Sequence, residues 1–191
     1  MKRLIVVLCV SLLTLTPPVW IDKLLAPWLP RAEASNFAGA PLTEDEAKAL
    51  AYRFVPGLAG LDFTVVITTS GSPNAMFSWG NGDWSGVPSA LILLRGLQDF
   101  PRQTQVLIFL HELAHANQLL NVGFESDIVK TEWEADVQGV RWACELGIDS
   151  GWVPYFWVWL YQNTGYDGDE SHPPAAQRAS LNTTCPDLKA P

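Results

Sequence analysis

The sequence predicts an α+β fold: a small, mostly antiparallel sheet packed on one long buried helix, with a second helix alongside. Three observations predict it. A stretch from Pro101 to Gly123 has no internal breaker and is apolar nearly all round. Residues 61–69 are crowded with β-branched side chains, namely Thr64, Val65, Val66, Ile67, Thr68 and Thr69. Thr43-x-x-Glu46 before an apolar repeat marks a helix start. With 191 residues and 48% hydrophobic content the chain suffices for one core, and it is short for two.

Taken in order, Ala47, Leu50, Ala51 and Phe54 recur at helical spacing after the capping box until Pro56-Gly57, so the first helix spans 43–55. Residues 61–69 form a strand. Between 70 and 88, Gly71, Pro73, Gly80, Gly82, Gly86 and Pro88 leave room only for a short strand at 75–79. The apolar run 90–94 is a further strand, with a sheet edge as its candidate place. Asp99 is the expected N-cap of the long helix, with Pro101 in its first turn. Ser126 or Asp127 caps the next helix, which ends near Gly147. An aromatic helix at 154–162 and a short helix after Pro173-Pro174, reaching about Leu181, complete the chain. Trp79 and Trp84, on the breaker-rich stretch, are the tryptophans expected nearest a cleft, with ordinary packing the alternative.

Residues 1–34 read as an export signal. Lys2 and Arg3 precede an apolar run over 4–15 that is short for a bilayer span, and Ala32-Glu33-Ala34 offers a small-x-small cleavage pattern. The long gap between run and cleavage site, with Pro17, Pro18, Pro27 and Pro30, leaves an uncleaved membrane anchor as the alternative. The expected location is exported, periplasmic or secreted, with a single domain over 35–191. Net charge is −8, and about −10 after removal of the signal, which disfavours nucleic acid and anionic lipid as partners. Cys9 lies in the signal behind Leu8, unlike a lipid-attachment site. Cys144 and Cys185 can form one disulfide in an oxidising compartment, or remain two buried thiols.

His111-Glu112-Leu113-Ala114-His115 falls in the middle of the long helix. Residues four apart on a helix differ in direction by about 40°, so the two imidazoles project from one face and can reach one tetrahedral zinc. Glu112, about 100° round, is placed as a general base beside the metal. The bland alternative is a pair of ordinary histidines, yet ionisable groups on so apolar a helix need partners.

A catalytic zinc site uses a third protein ligand. Glu132-Trp133-Glu134-Ala135-Asp136 offers three carboxylates, of which Glu132 and Asp136 share a helix face and Glu134 points away. With Glu132 as ligand, Asp136 is placed to accept a hydrogen bond from a ligand histidine. Ala135, Gly139 and Ala143 near that face permit close helix approach. A solvated acidic face is the alternative reading. His172, in a proline-flanked loop, is as readily exposed as functional on composition alone.

Four ordered pieces resemble the HtpX-like, CAAX-prenyl-protease type of gluzincin, metallopeptidase family 48. They are Asn74-Ala75-Met76-Phe77, His111-Glu112-x-x-His115, Glu132-x-x-x-Asp136, and His172-Pro173 followed by Arg178, and they cover about residues 60–180. The resemblance implies a zincin-like metallopeptidase domain with one Zn2+ per chain on His111, His115 and Glu132, and Asp136 behind a ligand. It implies that His172 lies near the active site, at the transition-state oxyanion or capping the zinc. It also implies a strand beside the cleft, here 90–94, that pairs with a peptide or protein substrate in extended conformation. Many members carry several membrane spans, whereas this chain has at most its N-terminal segment and so resembles the soluble exported members. The rival reading is a non-catalytic zinc-binding, chaperone-like or partner-regulated module of the same fold. No feature of the sequence specifies an oligomeric state.

Overall fold

The computed structural model describes residues 40–71, 73–80, 88–123, 127–148, 168, 170 and 172–179. The expected export segment 1–34, Trp84, Ser126, the aromatic helix expected at 154–162, Leu181 and Cys185 lie outside them. In order the elements are α1 (Glu44–Phe54), a 3₁₀ turn (Pro56–Gly60), β1 (Asp62–Thr68), β2 (Asn74–Gly80), β3 (Ser89–Arg95), α2 (Arg102–Asn121), α3 (Ile128–Glu145) and α4 (Ala175–Ala179). The α+β class stands. Among the described residues no helix is long and apolar enough to cross a membrane.

The sheet order is β1-β3-β2, and it corrects two expectations. First, the sheet is mixed rather than mostly antiparallel, because β1 pairs parallel with β3 while β2 pairs antiparallel with it. Second, the run at 90–94 is the central strand and not an edge. Ala90, Ile92 and Leu94 are buried on one face while Leu91 and Leu93 are half-buried on the other. The strand is central because β1 pairs along one of its edges and β2 along the other, and neither pairing leaves a mark in the apolar run itself. Pro88 stops short of the ladder, where its carbonyl accepts from the Asp62 amide at 3.2 Å.

Helix α1 begins as its sequence requires. Thr43 Oγ1 accepts from the Glu46 amide at 3.3 Å and Glu46 Oε2 accepts from the Thr43 amide at 3.0 Å, a reciprocal capping box. Glu46 also receives a two-pronged contact from Arg102, at 3.2 and 3.0 Å, which ties the start of α1 to the start of α2. Beside it, buried Gln105 accepts from the Leu42 amide at 3.0 Å and donates to the Phe100 carbonyl at 2.8 Å. Asp99 does not cap α2. The helix starts at Arg102 with Pro101 at the cap position and no side-chain cap, because proline pushes the residue before it out of helical geometry and leaves Asp99 too far back to reach the first amides.

Helix α2 lies across β2 and β3 on one side and packs along α3 on the other. Phe109, Leu110, Leu113 and Ala114 are fully buried between those layers, which explains why the sequence shows no polar stripe. Asp127 caps α3 by accepting from the Lys130 amide at 3.0 Å. Phe54 stacks on Trp142 with ring centroids 5.1 Å apart, fixing α1 against α3. The two long helices cross closely at Gly139, where an added Cβ would sit 3.2 Å from the His111 amide nitrogen.

The Arg102 guanidinium and the Thr43 amide beside Glu46 lower its carboxyl from 4.5 to about 2. A depressed folded-state value stabilises the fold above pH 4.5, and the gain fades as pH falls towards 2. Glu46→Gln keeps an acceptor for the capping box and removes the charge. The variant should be less stable than wild type at neutral pH by up to about 1 kcal/mol, the scale of an exposed pair. Denaturant titrations down to pH 2 should show that difference shrinking to nothing.

Candidate metal centre

His111 and His115 lie one turn apart on α2, with their rings edge to face and their Nε2 atoms 3.2 Å apart. Glu132 enters from α3 across the Gly139 crossing. Its Oε2 lies 3.1 Å from His111 Nε2 and its Oε1 3.4 Å from His115 Nε2. The carboxylate is 2% exposed, and Oε2 accepts no hydrogen bond despite its position. These three side chains form a group that can hold a metal ion.

The second ring nitrogens are held from behind. His111 Nδ1 is 2.9 Å from Asp136 Oδ1, and Asp136 in turn takes two bonds from Arg178, from Nε to Oδ2 and from Nη2 to Oδ1, both at 2.6 Å. Burial would raise the Asp136 carboxyl, but the Arg178 charge and the His111 bond outweigh it and hold the group ionised, below its ordinary value. His115 Nδ1 is 3.0 Å from Gln118 Oε1.

The centre asks for positive charge. Glu132 and Asp136, both buried carboxylates, face one guanidinium and the imidazoles of His111, His115 and His172. Burial disfavours a charged His111, yet the Asp136 bond and the Glu132 carboxylate prevail and push the ring up to about 10. A proton is the smallest cation that answers this demand, and a divalent ion answers it more fully. A tetrahedral ion with bonds of about 2.0–2.1 Å sets its ligand atoms about 3.3 Å apart. The two ring nitrogens, 3.2 Å apart, match that figure, while the carboxylate meets His111 with one oxygen at 3.1 Å and His115 with the other at 3.4 Å.

The remaining expected site residues are placed as follows. Glu112 is buried on α2 beside His111. His172 is 3% exposed, not a solvated loop residue, and its Nε2 reaches to 3.3 Å from Glu132 Oε2. It touches the Glu132 carboxylate and stands outside the converging trio. Gly168 adopts φ +90° there, and a Cβ on it would lie 2.7 Å from the His172 carbonyl oxygen, so the chain crosses itself as only glycine allows. Glu134 points to solvent, 3.7 Å from Lys130. Cys144 is disulfide-bonded.

Sequence reasoning gave no role to Arg178 or Gln118. Forty-two positions separate Arg178 from Asp136, so no local pattern betrays that pair. Gln118 stands three residues after His115 on the same helix face, and that spacing is a signal that could have found it. Comparison of the chain with protein-family models, with curated proteins and with solved structures finds no match in any of the three.

Purified Glu132→Ala should lose bound divalent metal in elemental analysis. Glu134→Ala, altered two residues away on the exposed face, should keep the wild-type amount.

Proposed function

We propose that the chain is a zinc-dependent endopeptidase of zincin-like fold, a soluble, exported relative of the HtpX-like, CAAX-prenyl-protease type of gluzincins. The observation that carries this reading is Glu112, a buried carboxylate set between two histidines whose Nε2 atoms converge with Glu132. Two imidazoles and one carboxylate are the donor set of a catalytic zinc, which keeps a further position for water or substrate.

Zinc held there supplies a Lewis acid that acidifies water and polarises a carbonyl. Glu112 takes a proton from water on its carboxylate and passes it to the nitrogen of the leaving amine. Asp136, clamped by Arg178, keeps the proton of His111 on Nδ1 so that Nε2 faces the metal position. His172, buried beside Glu132, is the side chain available to donate to a developing oxyanion.

The strand that receives an extended substrate cannot be β3, whose two edges are both occupied. That role passes to β2, an outer strand among the described residues, which lies against α2. The N-terminal segment 1–34, read as an export signal, supports an exported location and substrates among exported or envelope proteins.

Glu112→Gln preserves size and should retain full zinc. Hydrolysis of casein or a fluorogenic peptide should fall by at least about 100-fold, the scale of a lost general base. Undiminished turnover in that variant would end the proposed mechanism.

A further inference from the structure

Gln118 touches both halves of the metal centre. Its Oε1 lies 3.0 Å from His115 Nδ1, and its Nε2 donates to the Thr131 carbonyl at 2.9 Å. A carbonyl oxygen only accepts, so the NH2 end must face Thr131 and the amide oxygen must face the ring. That oxygen also only accepts, so the proton of neutral His115 sits on Nδ1. The lone pair of Nε2 is thereby turned towards His111 Nε2 at 3.2 Å and Glu132 Oε1 at 3.4 Å.

We infer that Gln118 is a positioning residue of the metal centre: it fixes His115 in the tautomer able to ligate through Nε2. The inference rests on reading His111, His115 and Glu132 as metal ligands. The two histidines are then held by different chemistry. His111 is backed by a carboxylate with its own arginine, and His115 by a neutral amide. A third carboxylate behind His115 would fix the same tautomer but would offset more of the ion's positive charge. The amide orders the ring without that cost, and its other end reaches the helix that delivers Glu132.

Two substitutions separate these functions. Gln118→Met keeps length and volume and removes both bonds. Gln118→Glu keeps an acceptor for His115 Nδ1 and loses the donor to Thr131. Zinc affinity is measured by competition with a chromophoric chelator, and folding by thermal melts of the same samples. Gln118→Met should bind zinc roughly 10–100-fold more weakly than wild type, the usual effect of removing a group behind a ligand. Gln118→Glu should stay within about threefold of wild type even where its melting temperature falls, because the acceptor remains.

Wild-type affinity in a folded Gln118→Met overturns the inference. Equal weakening in both variants also overturns it, since the residue would then act only by joining the helices. If Gln118→Met does not fold, Gln118→Leu, which also removes the acceptor, takes its place, with weakened zinc binding supporting the inference and wild-type binding refuting it. A wild-type protein that takes up no zinc defeats the metal reading itself, an outcome separate from any difference between the variants.

Discussion

The structure turns on a dry crossing of two helices at which two imidazoles meet a carboxylate. Two ring nitrogens 3.2 Å apart, each facing one oxygen of the same buried carboxylate at 3.1 and 3.4 Å, favour a positive charge among them. Everything near the crossing keeps that charge site in being. Gly139 removes the side chain that would hold the helices apart, and Ala135 and Ala143 are buried along the same helix. Arg178 holds Asp136 ionised, and Asp136 orders His111. Burial makes each of these contacts stronger, and it makes the loss of any single partner more damaging.

The sheet and α1 serve this crossing indirectly. Helix α2 must stay rigid over its 20 residues if His111 and His115 are to keep one face. It does so because its apolar flanks are gripped on two sides, by β2 and β3 and by α3. The Glu46–Arg102 pair and the Gln105 amide fix where α2 begins, and Phe54 on Trp142 fixes α3 relative to α1. The site residues are thus carried by regular elements rather than loops, apart from His172, which is locked by the glycine crossing at Gly168.

Much of this was legible in the residues because it is local. The capping box at Thr43 and Glu46, the unbroken helix around His111, and the shared face of Glu132 and Asp136 all follow from spacings of three or four, and the structure bears them out. Other features depend on partners distant in sequence. The rank of β3 in the sheet is set by β1 and β2 together, and an apolar run of five residues looks alike at an edge or in the middle. The start of α2 was misplaced because a nearby aspartate resembled a cap while proline governed the backbone. Composition left His172 open between an exposed loop and a functional place, and the fold buries it against Glu132, where the resemblance had put it. Asp136 and Arg178 were each singled out, but their pairing was not, because the two meet only once α4 docks.

The central claim is that one metal ion sits where His111, His115 and Glu132 converge. X-ray absorption at the zinc edge of the wild-type protein tests it most directly. The account predicts one zinc per chain in a shell of nitrogen and oxygen only, with the multiple scattering of two imidazoles. A sulfur shell, a single imidazole, or protein that purifies and reconstitutes without zinc would contradict it.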